Sequence, residues 1–335
     1  MTMARLSSTQ VEDLLREFEV YDQHVDVVSA IQSLLTVSTE LRPTVQHFER
    51  FPVIPQDGKP SLTPDFTVLY TDGTALIGEV ASVARHDGSI TKIVNQLANY
   101  DTITAVPAGP SRRSVAPIQT PDVLLIVPIS RGQRAFFRIE ERLKDGTYAP
   151  SKRPVIAQYA KGDSEYTIQR LLHADNGTLD PGSRAHHLGH VLDEDLTVPA
   201  RLFSQSKIAH RFINDVPSTL YLATHLLMHY LPSVHPVGEQ AAVVPADVAE
   251  VLRRQYGGGI RASNIRQALD LIQKAGYARC NPDKTWDVSL RQMKSKTETD
   301  VHRIILSRAS KTTSSVLPPR ERPAPSVEQL ALFHI

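Results

Sequence analysis

The segment from Phe66 to Ser82 constrains the fold more than any other part of the chain. Two apolar stretches, FTVLY and TALIGEVAS, flank the tripeptide Thr71-Asp72-Gly73. Aspartate followed by glycine tolerates the positive backbone angles of a tight turn, and β-branched and aromatic residues favour strands. The pattern therefore predicts an antiparallel hairpin, preceded by a strand over residues 45–54 (VQHFERFPVI).

Glu79 is the exception inside the second apolar stretch. A desolvated carboxylate without a partner costs several kcal/mol, so Glu79 is either exposed at a strand end or bound to a cation. Asp65 lies seven residues before Asp72, and Glu79 seven residues after it. Strand pairing can therefore bring the two carboxylates together, and carboxylate oxygens are ligands that Mg²⁺ or Mn²⁺ accepts.

The helix predicted after the hairpin carries a polar stripe. With Ser89 as N-cap, the run ITKIVNQLANYDTI places Lys92, Gln96 and Tyr100 at i, i+4 and i+8 on one face. A lysine in the first helical turn opposes the helix dipole. Lys92 is therefore either an ordinary solvent-facing lysine or a member of a functional site, where such local inconsistencies are tolerated.

Three short motifs together resemble the PD-(D/E)XK nuclease family. They are Pro64-Asp65, Glu79-Val80-Ala81, and Gln96 with Tyr100, which matches the Q-x-x-x-Y helix of the exonuclease-like branch of that family. The resemblance covers about residues 35–130 and includes residues 122–128 (DVLLIVP) as the next core strand. It implies an α/β restriction-endonuclease-like fold, in which a mixed sheet is flanked by helices.

The resemblance also implies a chemistry. Asp65 and Glu79, with the Val80 carbonyl, would hold Mg²⁺ or Mn²⁺ for hydrolysis of a DNA phosphodiester, and Gln96 and Tyr100 would belong to the same site. Glu40, expected on the helix before the first strand, resembles an auxiliary acid of the family, although an ordinary surface glutamate is an equal alternative.

The chain departs from the family pattern at Ala81, which stands where the motif lysine belongs. In some members that lysine has moved to the following helix, and Lys92 would then take its role. The alternative is a fold that binds DNA without cutting it. An active site is favoured because the other motif residues are all present, namely Asp65, Glu79, Gln96 and Tyr100.

A second region has the opposite charge. Residues 1–100 hold 7 Lys/Arg against 13 Asp/Glu, whereas residues 251–320 hold 14 against 5, although the whole chain carries only +1. Such a basic region suits phosphates, and a solvated charged face is the alternative. The pattern that overlaps this region looks like a winged helix-turn-helix domain. It consists of a helix from Thr219, a second from Pro245, a third capped by Ser263 and a final hairpin.

In a winged helix of this kind the third helix would enter a DNA groove. Its exposed start and the wing of the hairpin would supply the DNA contacts, through Arg261, Asn264, Arg266, Gln267 and Lys284. Winged helices also bind proteins, which remains the alternative.

The chain ends in an apolar peptide after a proline-rich stretch. QLALF, residues 329–333, resembles the pentapeptide that binds the bacterial sliding clamp. The resemblance implies that Leu332 and Phe333 fill an apolar pocket of the clamp, that Leu330 accompanies them and that Gln329 binds at the edge. The alternative is a last strand folded back on the core of the chain.

These motifs predict five segments: a nuclease-like domain (1–145), a connecting region (146–204), a winged helix-turn-helix (205–300), a flexible proline-rich linker (301–328) and the clamp-binding peptide (329–333). No run reaches the ~18 apolar residues of a membrane span, and the single Cys280 excludes a disulfide scaffold. We therefore expect a cytoplasmic, nucleoid-associated DNA endonuclease. An inactive DNA-binding adaptor is the second hypothesis, and a homodimer that cuts both strands stays open.

Overall fold

The structure of the chain is a computed structural model. It describes residues 5–56, 58–81, 87–111, 114–173, 176, 177, 179, 186–193, 196–235, 240–256, 259–290 and 297–311. The described residues divide into two compact units. Residues 19–217 and 253–259 belong to the sheet unit, and residues 5–18, 218–252 and 260–311 to the C-terminal unit.

Within the described ranges, the α-helices and strands of the sheet unit lie in the chain up to residue 209, apart from residues 253–256, which end a later helix. In order they are α1 (Ser8–Val37, whose residues up to Phe18 belong to the C-terminal unit), β1 (Val45–Arg50), β2 (Ile54–Gln56), β3 (Lys59–Leu62), β4 (Phe66–Tyr70), β5 (Ala75–Val80), α2 (Asp87–Tyr100), β6 (Ala105–Pro107), β7 (Val115–Pro117), β8 (Asp122–Pro128), α3 (Gly132–Lys144), β9 (Val155–Lys161), β10 (Glu165–Arg170), α4 (His186–Asp193), β11 (Leu196–Pro199) and α5 (Ala200–Ala209).

Seven of these strands form one mixed sheet in the order β1-β4-β5-β8-β9-β10-β11. The central strands β5, β8 and β9 are parallel, and the strands on either side of them run antiparallel. β5 and β8 are apolar along almost their whole length and buried on both faces, as is usual for parallel strands covered by helices. The predicted mixed α/β class with a helix-flanked sheet is therefore confirmed.

Alternating side chains of the sheet enter two apolar cores. Phe66, Leu76 and Leu124 pack in the core that contains α1, which contributes residues such as Val28 and Ile31. The intervening residues point to the other face, where the core contains side chains of α2 and α3. Glu79 lies on this second face because it alternates with Gly78 and Val80.

The hairpin predicted around Asp72-Gly73 is confirmed. β4 and β5 are antiparallel, and Gly73 has a φ of +83°, a conformation that glycine adopts without steric cost. The strand predicted over residues 45–54 is shorter than expected. β1 ends at Arg50, because Phe51 has a φ of +47° and Pro52 follows it.

The predicted boundary at residue 145 does not separate two domains. Residues 146–204, expected to be a connecting region, contain β9, β10 and β11, which extend the same sheet, and the sheet unit continues to Pro217. The Pro and Gly residues around 145–154 mark only the loop between α3 and β9. The sequence did not predict β9, whose residues VIAQYA are mostly buried. Its pairing partner β8 lies in a distant, earlier segment of the chain, and local patterns do not indicate such pairing.

A buried ionic cluster joins α5 to the part of α1 in the sheet unit. Lys207 Nζ lies 2.7 Å from Asp22 Oδ1 and 2.6 Å from Asp26 Oδ1, and the Tyr166 hydroxyl donates to Asp26 Oδ2 at 3.0 Å. Burial raises the pKa of Asp26, and the nearby Asp22 raises it further. Lys207 therefore compensates two carboxylates whose burial would otherwise be unfavourable.

The C-terminal unit begins with the first part of α1 and continues after Pro217. Its remaining helices and strands within the described ranges are α6 (Thr219–His225), a π-helical turn (Leu226–Tyr230), α7 (Leu231–Val234), β12 (Gln240–Val243), α8 (Pro245–Tyr256, the last four residues of which belong to the sheet unit), α9 (Ala262–Lys274), β13 (Ala278–Cys280), β14 (Trp286–Ser289) and α10 (Glu298–Ala309). The three strands form an antiparallel sheet in the order β12-β14-β13.

The expected linker over residues 301–328 is wrong for its first part. Residues 301–309 lie in α10, whose buried Val301, Ile305 and Leu306 form an apolar stripe. A capping box of Thr297 and Asp300 starts this helix. The residues after Ser307 are polar and rich in proline, and this composition does not extend back into the stripe. Residues 312–328 lie outside the described residues.

No helix within the described ranges combines the length and the apolar composition that a membrane span requires.

Gly78 allows the sheet to close over Phe66. A Cβ at residue 78 would lie 1.9 Å from Phe66 Cζ, and Phe66 is fully buried with no room to move. Gly78→Ala should therefore lower the free energy of unfolding by about 1–3 kcal/mol, measured by urea denaturation. Gly189→Ala, whose new Cβ would make an ordinary contact with Leu179 at 3.7 Å, is the matched control. Equal stability of the two variants would contradict this packing.

Candidate active site

The β4–β5 hairpin places two carboxylates opposite each other. Phe66 pairs with Gly78 and Thr67 with Ile77, so the same register sets Asp65 across from Glu79. Residues opposite each other in antiparallel strands project to the same face. Both acids are nearly enclosed, with 7% of Asp65 and 9% of Glu79 exposed.

Asp65 is held at its backbone and at one carboxylate oxygen. Its carbonyl accepts from the Phe51 N–H at 2.9 Å, and its Oδ2 accepts from the Val80 N–H at 2.7 Å. His24, from α1, places Nε2 at 2.9 Å from the same Oδ2, which is ion-pair distance, although this nitrogen is not in hydrogen-bond geometry with Oδ2 or with another described group. The side-chain contacts found for Asp65 among the described residues thus converge on Oδ2.

The polar stripe of α2 meets Glu79. The Tyr100 hydroxyl donates to Glu79 Oε2 at 2.5 Å, and Gln96 Nε2 donates to Oε1 at 3.3 Å. Tyr100 is buried and Lys92 is exposed one turn before Gln96. α2 begins at Asp87 rather than after Ser89. One helix therefore contacts both oxygens of the same carboxylate.

The electrostatics of the site disfavour an ionised Glu79. Burial raises the pKa of Glu79 well above its usual range, and the neighbouring Asp65 carboxylate raises it further, whereas the Tyr100 hydrogen bond and the Lys92 charge lower it. Burial and the nearby Glu79 carboxylate also raise the pKa of Tyr100. A bound cation would reverse this balance by favouring two ionised carboxylates.

Two residues near the acids were missed in the sequence. Burial lowers the pKa of His24, but Asp65 and Asp215 raise it, and the net shift is upward. Asp215 also acts electrostatically on Glu79. Asp215 lies two residues after Ile213, whose N–H donates to the Tyr21 hydroxyl at 3.1 Å. A histidine within the long helix pattern of α1 carries no local signal of a role, and Asp215 lies in an irregular segment.

Glu40 is not placed as expected. α1 ends at Val37, and Glu40 lies in the exposed turn that follows, where its N–H contacts Ser38 Oγ at 3.3 Å. The helix before the first strand does reach the acid pair, but through His24. Ala81, at the position of the motif lysine, is half-buried against the apolar core on the α2 side of the sheet.

The residues predicted to bind DNA lie on α9 and on the β13–β14 turn. Arg261, Arg266, Gln267 and Lys284 are exposed. α9 begins at Ala262 with Arg261 as N-cap, so the prediction of Ser263 as the cap was wrong. Asn264 Oδ1 accepts from the Arg261 N–H at 2.9 Å, which commits that oxygen to the helix start.

Two further observations concern these residues. Gln267 lines a groove of about 360 Å³ beside Gln10 and Leu14 of α1. Lys284 has a φ of +64° at the tip of the turn between β13 and β14.

The residues predicted to bind the clamp lie outside the described residues. They are Gln329, Leu330, Leu332 and Phe333.

The acid pair can serve a cation only with help from other oxygens. Within the described ranges, no three or more His, Cys, Asp or Glu side chains are grouped so that they could hold a metal ion. Two carboxylates and the Val80 carbonyl would therefore need water and phosphate oxygens to complete the octahedron that Mg²⁺ prefers.

Comparisons with family models, curated proteins and solved structures found no match to this chain.

The raised pKa of Glu79 predicts a pH-dependent stability. Because the folded-state pKa lies above the unfolded value, the stability that protonated Glu79 confers is lost as the pH rises through the folded-state pKa. In EDTA, Glu79→Gln should therefore unfold at a higher temperature than the parent at pH 8, with the difference vanishing near pH 4. Glu141→Gln, at an exposed site, is the control. A less stable Glu79→Gln variant at pH 8 would contradict the buried, unfavourable charge.

Proposed function

We propose that this protein is a metal-dependent deoxyribonuclease similar to the PD-(D/E)XK nucleases. The observation that carries the proposal is the buried pair of Asp65 and Glu79, opposite each other across one hairpin. Gln96 and Tyr100 both contact Glu79. Burying two acids side by side is unfavourable unless a cation compensates them, which supports a Mg²⁺ or Mn²⁺ site.

The order of the sheet supports a restriction-endonuclease-like fold for this unit. An antiparallel β1-β4-β5 portion carries the acids, and parallel strands β8 and β9 continue it. The acids lie where β4 begins and β5 ends, and helices supply both His24 and the Gln96–Tyr100 stripe. A substrate backbone could therefore approach them from the edge of the sheet.

The residues of the site would divide the work of phosphodiester hydrolysis. A bound Mg²⁺ or Mn²⁺ would supply Lewis-acid activation of water and stabilise negative charge at the phosphate. Asp65 and Glu79 would hold it, and the Val80 N–H would fix Asp65. Tyr100 and Gln96 would orient Glu79. Lys92, exposed and electrostatically coupled to Glu79, would contribute positive charge toward the phosphate.

A catalytically inactive DNA-binding adaptor is the second candidate. Ala81 favours it, because an apolar side chain stands at the position of the motif lysine. The two candidates differ in one measurable property, since an adaptor binds DNA but leaves it intact in the presence of manganese.

Removing either acid should abolish cleavage. Asp65→Asn and Glu79→Gln keep the shape of each side chain but weaken its hold on a cation, so each should reduce Mn²⁺-dependent DNA cleavage by at least about a thousandfold. The assay uses labelled duplex, nicked, mismatched and branched DNA with Mg²⁺ or Mn²⁺. Glu141→Gln is the matched surface control. Full activity in both site variants would refute this site, and no cleavage by the parent protein would favour the adaptor.

We further propose that the C-terminal unit contains a winged helix that binds DNA. Its order of helix, strand, two helices and two strands, with β14 between β12 and β13, supports this fold. Arg266 on α9 and Lys284 at the turn are exposed and basic. They would contact phosphates, which accounts for the excess of Lys and Arg over residues 251–320.

The salt dependence of DNA affinity measures these contacts. If Arg261 and Arg266 each neutralise one phosphate, the double variant Arg261→Gln/Arg266→Gln should reduce the slope of log K against log salt by about 1.8. Fluorescence anisotropy at several salt concentrations gives the slope. Arg303→Gln, an exposed change on α10, should leave it unchanged. An unchanged slope in the double variant would instead favour the protein-binding alternative.

The third part of the proposal is recruitment by the bacterial sliding clamp. It is supported by the residue types at 329–333, where Gln329, Leu330, Leu332 and Phe333 match the pentapeptide pattern. A short peptide joined to a nuclease raises the effective concentration of the nuclease wherever the clamp is loaded on DNA.

Truncation before Ser326 should abolish binding to the purified clamp while leaving DNA cleavage in the absence of the clamp unchanged. Surface plasmon resonance with immobilised clamp measures the first effect. The double substitution Leu332→Ala/Phe333→Ala in the full chain should reproduce it. Equal clamp binding with and without the tail would remove this partner from the proposal.

A further inference from the structure

His24 contacts the acid pair from a helix that the motifs do not include. Its Nε2 lies 2.9 Å from Asp65 Oδ2, and its side chain is 17% exposed. The following residues Val25, Val27 and Val28 are fully buried in the sheet unit. The backbone of α1 at this point is therefore fixed by packing.

Asp65 shows why this contact matters. Oδ2 already accepts from the Val80 N–H at 2.7 Å. His24 makes a second contact with the same oxygen, at ion-pair distance, and two partners on Oδ2 restrict the rotation of the carboxylate about its Cβ–Cγ bond. Glu79 is oriented in a comparable way by Gln96 and Tyr100. Each acid thus has two partners that fix it, and for Asp65 one of them is His24.

We propose that His24 is a positioning residue of the acid pair, which fixes Asp65 through Oδ2 so that Oδ1 faces the cation. This inference rests on the metal-dependent function proposed above and adds to it a residue outside the motifs. Groups that orient metal ligands without touching the metal typically change metal affinity by about 10- to 100-fold. His24 is assigned that role and not the role of a ligand, in agreement with the lack of a three-residue metal group among the described residues.

A matched pair of variants tests the contact itself. Gln carries an amide nitrogen at about the distance of imidazole Nε2, whereas Asn carries one at about the distance of Nδ1. His24→Gln should therefore keep Mn²⁺ affinity within about threefold of the parent, and His24→Asn should lower it by about 10- to 100-fold. His47→Asn removes a similar His–Glu pair at Glu49, 3.0 Å apart in β1, and should have no effect.

The measurement is Mn²⁺ binding by the full chain without DNA, followed by the electron paramagnetic resonance signal of free Mn²⁺. Thermal unfolding in EDTA identifies any variant that has simply lost its fold. Electron spin-echo modulation of bound Mn²⁺ should show no directly coordinated histidine nitrogen in the parent. Equal affinity of the parent, His24→Gln and His24→Asn, or a coordinated nitrogen that disappears in His24→Asn, would overturn the positioning role.

Asp65→Asn separates this inference from the proposed function. If the parent binds Mn²⁺ and Asp65→Asn does not, the metal site stands, and the two His24 variants then decide the role of His24 alone. If the parent binds Mn²⁺ no better than Asp65→Asn, the proposed metal-dependent function and the role of His24 both fail.

Discussion

The contact between the ends of β4 and β5 is the interaction on which the rest of the sheet unit depends. The register of this hairpin sets Asp65 across from Glu79, and both acids are nearly enclosed. Two neighbouring buried carboxylates are unfavourable by themselves, since each disfavours ionisation of the other. The polar groups around them offset only part of this cost, since the pKa of Glu79 stays raised: the Val80 N–H and His24 contact Asp65, and Tyr100 and Gln96 contact Glu79.

The parts of the site that the sequence predicts are those set by local geometry. A short loop fixes which residues of a hairpin face each other, so spacing sets Asp65 across from Glu79. The helical repeat fixes which residues share a face, so spacing places Gln96 and Tyr100 on one stripe. Only the family resemblance joined that stripe to Glu79. His24 could not be found in this way, because its approach to Asp65 depends on how α1 packs against the sheet. Glu40 was chosen for its position before the first strand and lies instead in an exposed turn.

The fold was predictable to the same extent. Apolar runs and turns predict individual strands, the hairpin and helices, and the family resemblance implied the mixed sheet flanked by helices. The continuation of the sheet through β9, β10 and β11 depends on pairing between distant segments. Pro and Gly residues near 145–154 were interpreted as a domain boundary, although they form a loop inside one unit. The apolar stripe of α10 was similarly overlooked beside the polar, proline-rich sequence that follows it.

The most direct test of the account is the position of a bound cation. Crystals grown with Mn²⁺ should show anomalous scattering between the carboxylates, at about 2.1–2.2 Å from Asp65 Oδ1 and from an oxygen of Glu79. Crystals of Asp65→Asn grown in the same way should lack this peak. Anomalous density elsewhere only, with Asp65 still beside His24 and Glu79 still bound to Tyr100, would contradict the claim that this acid pair holds a metal.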